Sequence, residues 1–145
     1  MQRMKYLAID LGDKRTGLAV GDDVLGLVTP LAPLVQSDRE RLILALVEAV
    51  NEHDPQALVL GLPYNMDGSE GPRAKLVRDF ARALAERINL PLHFRDERLT
   101  SFQADLQMAG SGLTHKQKKA RRDSLAAAAI LQDFLNNLPA ENRDN

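Results

Sequence analysis

Two short apolar runs constrain this chain most. Tyr6 to Ile9 and Ala57 to Leu62 are continuous, with no alternation of apolar and polar residues, and neither is long enough for a helix. Runs of this kind suit strands buried on both faces, so helices must cover both sides of their sheet. The turn signal Leu11-Gly12-Asp13-Lys14-Arg15 follows the first run, and Thr16 to Val20 reads as a second strand. So short a connection demands an antiparallel hairpin. A third strand fits within Val24 to Val35, where Pro30 and Pro33 confine it to an edge.

Ser37 and Glu40 form a capping box that opens a helix from about Asp38 to His53. Leu42, Leu46 and Ala49, with Ile43, Val47 and Val50, make its broad apolar stripe. Ala57 to Leu62 is the fourth strand, and Pro63 to Pro72 reads as a loop. A helix from about Arg73 to Ile88 and a strand from Leu92 to Arg95 come next. A short helix from about Ser101 stops at Gly110-Ser111-Gly112. Thr114 and Gln117 offer a second capping box for a last helix that reaches about Asn137. Right-handed crossovers place the fourth strand beside the first. The expectation is an α/β fold: a five-stranded mixed sheet ordered 3-2-1-4-5, three antiparallel strands then parallel ones, with helices on both faces. A ligand site belongs where strand order reverses, between strands one and four. Length points to one domain over residues 1–138, followed by a polar tail, 139–145, that frays.

Composition removes several function classes. With no cysteine there is no disulfide scaffold, Cys-ligated zinc or thiol nucleophile. Aromatic residues are 4% and Trp is absent, which argues against a base-stacking platform as the main device. The net charge of -1 means that any nucleic-acid binding comes from a local patch. No run approaches the ~20 apolar residues of a membrane span. The first apolar run is too short for a signal peptide's core, so a soluble cytoplasmic protein is expected.

Three acids stand out. Asp10 ends the first strand at the switch point, where it could also serve as a turn residue bonding the backbone of Gly12 or Asp13. Asp96-Glu97-Arg98 ends the fifth strand. Alternation puts Asp96 and Glu97 on opposite faces without saying which enters a site, and a solvated charge cluster is the plainer alternative. Asp123 is more informative. With Asp123 at 0° on a helical wheel, Ile130 falls at about -20°, Phe134 at about 20° and Ala127 at about 40°. The acid lies at the centre of the buried stripe, where a charge must be paired, hydrogen-bonded or bound to a cation. A Lys119–Asp123 pair at spacing four explains that inward position poorly.

Separated carboxylates at the mouth of one sheet suit Mg²⁺ or Mn²⁺, which take oxygen ligands. Two such ions about 4 Å apart can clamp the attacking and leaving oxygens of a phosphodiester, with Asp10, on the central strand, as the bridging acid. The basic residues fit that substrate. His115 to Arg122 holds five Lys/Arg, Lys14 and Arg15 flank Asp10, and Arg73 begins a helix whose free N–H groups attract phosphate. Such contacts bind backbone charge without reading sequence. Lys118, Arg121 and Arg122 suit a solvated helix face best.

These residues, in this order, resemble the YqgF/RuvX family, variously described as Holliday junction resolvases and as pre-16S rRNA nucleases. The matching stretches run from Ala8 to Ala19, Gly61 to Ser69, Asp96 to Thr100 and Asp123 to Ala127, and the resemblance spans Tyr6 to about Leu135. It implies an RNase H-like fold and makes Asp10, Glu97 and Asp123 the catalytic, metal-binding acids, which decides for Glu97 over Asp96. It also implies that the loop from Asn65 to Ser69 touches substrate. Lys14, Arg15, Asn65, Arg73, Arg98, Thr100, Lys116 and Lys119 are the expected substrate contacts. Arg122 departs from the apolar residue the family often has there, and an extra phosphate contact is the expected result.

The expected function is therefore metal-dependent processing of the 5′ end of pre-16S rRNA, with a four-way DNA junction as the alternative substrate. Since 2′-OH contacts separate RNA from DNA, fold and acids do not. Two other classes compete. A nucleotide-binding module of the actin/sugar-kinase type would use Asp10-Leu11-Gly12 as a phosphate loop, but 145 residues are too few for the second domain it needs. A non-catalytic RNA-binding assembly factor would tolerate loss of the acids, yet all three are present. A monomer or a homodimer fits equally well.

Overall fold

The computed structural model describes residues 3–97 and 115–138, with side chains in the second segment from Ser124 onward. The strands are β1 (Lys5–Asp10), β2 (Arg15–Asp22), β3 (Val28–Val35), β4 (Ala57–Leu62) and β5 (Leu92–Asp96). The helices are α1 (Arg39–His53), α2 (Pro72–Arg87) and α3 (His115–Asn136). The sheet order is β3-β2-β1-β4-β5. β1 pairs antiparallel with β2 and parallel with β4, β2 pairs antiparallel with β3, and β4 pairs parallel with β5. The order and directions expected from the sequence are those observed. The two continuous apolar runs are the central neighbours β1 and β4, and the proline-bearing strand is at an edge.

Strand alternation divides the core in two. Leu7, Ile9, Leu18, Leu58, Leu60 and Leu62 face α1 and α2. Tyr6, Ala8, Ala19, Ala57 and Val59 face α3, where Ala127, Ile130 and Leu131 cover them. Small residues on this second face let α3 lie close, and Phe134 packs edge-on against Tyr6 at 5.3 Å between ring centres.

One helix start differs from expectation. Asp38, not Ser37, caps α1: its backbone is extended and its Oδ2 accepts the Arg41 N–H at 3.0 Å. A carboxylate is the better cap here, because it satisfies a free N–H and also faces the positive end of the helix dipole. Glu40 closes no capping box and instead pairs with Arg87 of α2 at 2.7 Å. Pro72 opens α2 at a position whose missing N–H costs nothing. The short helix expected from Ser101, and Thr114 of the second capping box, lie outside the described residues.

Candidate active site

Asp10 is the last residue of β1, on the even-numbered side that faces α3. On β5 the same side carries His93, whose ring lies 5.2 Å from that of Phe134, and Arg95, which pairs with Asp133 of α3. Phe94 lies on the other side, under the Arg78 guanidinium of α2 at 4.9 Å. Alternation then carries Glu97, and not Asp96, to the face of Asp10. The Glu97 N–H donates to the Leu62 carbonyl at 3.3 Å, continuing the β4–β5 ladder one step past the strand.

The result is a carboxyl pair: Asp10 and Glu97 share a side-chain hydrogen bond. Gly61 of β4 makes room for it. A Cβ at Gly61 would collide with Glu97 Oε2 and would come within 2.6 Å of Ile130 Cδ1. Burial pushes the Glu97 carboxyl above its ordinary value. The bond to Asp10 and the Arg73 charge pull the other way, and Asp96 adds repulsion. Two carboxyls in contact either share a proton, so that one is neutral, or need a cation between them to stay charged together.

Around this pair the basic residues divide. Arg73, in the first turn of α2, donates to Asp13 Oδ1 at 2.7 Å and to the Leu11 carbonyl at 2.8 Å. It straps the β1–β2 turn to α2, a role the sequence reading did not give it. Lys14 stands exposed in that turn. Arg15 opens β2 half-buried, and its Nη1 is buried with no partner among the described residues. The Asn65 loop is folded on itself. The Asn65 N–H donates to the Ser69 carbonyl at 2.8 Å, and its Nδ2 donates to Ser69 Oγ at 3.0 Å.

Asp123, Lys116 and Lys119 lie in α3, but their side chains are outside the described residues, as are Arg98 and Thr100 altogether. The stripe that singled out Asp123 is present, since Ala127 and Ile130 are fully buried. Phe134 sits by Tyr6 at the start of β1. Residue 123 lies three turns nearer the helix start, roughly 16 Å along its axis. Its neighbour Ser124 donates its Oγ to the Leu31 carbonyl of β3 at 2.7 Å, and Leu31 is level with Leu18 of β2 and Ile9 of β1. Among the described residues, no group of three His, Cys, Asp or Glu side chains forms a metal-binding cluster.

Sequence reasoning missed Gly61, Asp13 and the Arg95–Asp133 pair. Gly61 had a usable signal: an isolated glycine inside an apolar strand marks a close approach. The two ion pairs join residues 60 and 38 positions apart, and nothing local announces them.

Residues 4–137 match the RuvX family, described as Holliday junction resolvase. A relative from Anaeromyxobacter sp. (strain Fw109-5), carrying the name "Putative pre-16S rRNA nuclease", is 40% identical over 132 residues, 91% of this chain and 96% of its own length. One of the same name from Neisseria gonorrhoeae (strain ATCC 700825 / FA 1090) is 40% identical over 135 residues, 93% of this chain and 89% of its own. Among solved structures, T. thermophilus RuvC in complex with Holliday junction substrate superposes with a TM-score of 0.57 at 16% identity, covering 92% of this chain and 94% of that one. The fowlpox virus Holliday junction resolvase gives 0.55 at 13% identity, over 93% and 100%. At such identities these two likenesses concern the fold, which is RNase H-like. The sequence matches go further: the chain belongs to the RuvX family.

Proposed function

We propose that this chain is a metal-dependent nuclease that hydrolyses phosphodiester bonds and processes the 5′ end of pre-16S rRNA. The observation that carries the reading is the Asp10–Glu97 carboxyl contact at the reversal of strand order, in a chain of this family. Hard oxygen donors held together on a partly buried face are what Mg²⁺ or Mn²⁺ selects. Asp10, Glu97 and Asp123 are the residues that would hold the metal, and the level of residue 123 along α3 supports the third assignment. Bound there, divalent ions supply charge for both oxygens of the displacement and a nucleophile at neutral pH.

The remaining work falls to this chain's own side chains. Arg15 offers a buried N–H with no partner among the described residues, which suits a phosphate oxygen beside Asp10. Arg73, Lys14, Asn65 and the Lys116–Lys119 line of α3 would hold the strand on either side, joined by Arg98 and Thr100. We assign the activity to one domain over residues 1–138, with 139–145 as a tail, acting in the cytoplasm as a monomer or homodimer. Among the described residues no helix is long and apolar enough to cross a membrane.

The second reading, resolution of a four-way DNA junction, is favoured by the family's description. One experiment separates the two. Purified protein with Mn²⁺ is offered a labelled 16S rRNA precursor end and a labelled four-way junction. The proposal expects cleavage of the RNA, with the junction bound or ignored. Cleavage of the junction alone transfers the assignment to the resolvase. Tight RNA binding with no cleavage under any divalent metal makes the chain an assembly factor.

A further inference from the structure

The acid pair faces α3, yet a cleft opens on the other side of the sheet, beside the turn that follows Asp10. It measures about 270 Å³. Its apolar lining is Leu11, Leu42, Leu76 and Phe80, and Arg39 and Arg73 line it too. Ligand pockets start near roughly 300 Å³, so this cleft admits one small flat group and not a length of polymer. Both guanidinium groups are held in place. Arg39 donates to Asp79 Oδ2 at 3.0 Å and to its carbonyl at 3.2 Å, and Arg73 is anchored on Asp13 and the Leu11 carbonyl. A guanidinium carries five N–H donors and a flat face, so neither is exhausted by these bonds. Gln36 and Ser37 add donors and acceptors to the same wall.

Asp13 and Asp79 also line the cleft and neutralise the two arginines. Its apolar side chains, flat paired guanidinium groups and polar edges therefore match the needs of an uncharged nucleobase, which stacks by its face and is read by its edge. The location matches too. Leu11, in the cleft wall, follows Asp10 directly, and Arg73 holds that residue's carbonyl. We infer that this cleft receives one unpaired nucleobase of the strand being cut, a short way along the backbone from the scissile phosphate. The inference rests on the nuclease reading above. A stacked, paired base presents no free face, so the cleft would select a strand with an unpaired residue near the cut.

The test uses the full chain and a single-stranded RNA that it cuts. An abasic residue is moved through the positions on either side of the cut. At one position KM is expected to rise about tenfold while kcat is kept, and Leu76→Trp, which fills the cleft, should bring the intact strand to the same KM. Leu76 is half-exposed, so the larger ring has room to enter without rebuilding the core. A second readout needs no cleavage: 2-aminopurine at that position, with EDTA present, should change its fluorescence on binding, and Leu76→Trp should abolish the change. If no abasic position moves KM in the wild-type protein and no 2-aminopurine position responds, the cleft inference falls while the nuclease stands. A fluorescence response without cleavage under any metal keeps the cleft and removes the nuclease. A protein that neither binds nor cuts the strand overturns both.

Discussion

An acid stands at each end of the β1–β2 hairpin, Asp10 at one and Asp22 at the other, and the surroundings of the two ends act in opposite ways. At the end away from the site, Asp22 is only 4% exposed. Its Oδ1 accepts the N–H groups of Val24 and Leu25 at 3.0 and 2.7 Å, and its Oδ2 pairs with Arg3 at 3.0 Å. Burial pushes this carboxyl upward, but the two backbone bonds and Arg3 together outweigh it and hold it below its ordinary value. At the other end Glu97 meets another acid, and burial wins. One carboxylate has every partner it needs from the fold. The other meets a second carboxyl, and burial keeps it raised. That is the difference expected between an acid that builds the protein and one proposed to work in it.

The largest expected effect lies at the end that holds the carboxyl pair. Asp10→Asn keeps the shape of the side chain and removes its charge, so cation binding weakens and cleavage in Mn²⁺ falls by at least about a hundredfold. Thermal stability without metal should hold, because the amide can bond Glu97 in either protonation state. Asp123→Asn should behave alike. Wild-type rates in either variant would remove that acid from the site.

Asp22→Ala reverses the pattern. It leaves the Val24 and Leu25 N–H groups without their acceptor at a part-buried turn and removes the partner of Arg3. The expected cost is about 2–3 kcal/mol of stability, seen in urea melts. The cleavage rate per folded molecule should not change. A variant that melts normally would mean that water replaces this carboxylate at little cost.

Glycines sharpen the same contrast at smaller magnitude. A Cβ at Gly61 meets Glu97 and Ile130, whereas a Cβ at Gly21, beside Asp22, meets the Leu27 carbonyl at 2.7 Å and Leu131 Cδ2 at 3.2 Å. Each Gly→Ala variant should lose roughly 1–2 kcal/mol through overpacking. Only Gly61→Ala should also lose activity, about tenfold, because Glu97 is the more movable obstacle and must shift. Equal activity in the two variants would mean that the position of Glu97 is not critical.

How much of this could be read from the chain follows from how local each cause is. The sheet order was legible because continuous apolar runs, two prolines in β3 and short connections are local features that restrict pairing. Asp10 was legible because it ends such a run. Strand alternation did not choose between Asp96 and Glu97, since it fixes only that they oppose each other, and it was the family resemblance that chose Glu97. Which face of β5 is covered by α3 is set by His93 on Phe134 and Arg95 on Asp133, contacts across about forty residues. Asp22 left no signal at all, because Gly21-Asp22-Asp23 reads as an ordinary polar turn until Arg3 folds over it. Arg73 was placed correctly at a helix start, but its bonds to the β1–β2 turn depend on tertiary approach.

The smallest expected effect tests the comparison most directly, through stability against pH in metal-free protein. The folded-state value of Glu97 is raised above its ordinary 4.5. The folded chain therefore binds that proton more tightly than the unfolded chain, and stability is lost as pH rises from about 4.5 through the folded value. Asp22 has the opposite sign. Its folded value lies below 3.8, so its contribution is complete above 3.8 and is lost as pH falls through the folded value. Glu97→Gln imitates the protonated acid at every pH. In EDTA it should match the wild type near pH 4 and melt about 2–4 °C higher at pH 8, the shift that ~1 kcal/mol produces in a chain of this size. Asp22→Asn should melt lower than the wild type at pH 8, with the gap closing only below pH 3.8. Added Mn²⁺ should erase the advantage of Glu97→Gln, because a cation favours the charged wild-type pair and the amide offers it one carboxylate fewer. A Glu97→Gln variant that melts below the wild type at pH 8 in EDTA would show that the carboxyl pair is already satisfied by the fold, and the contrast between the two ends would collapse.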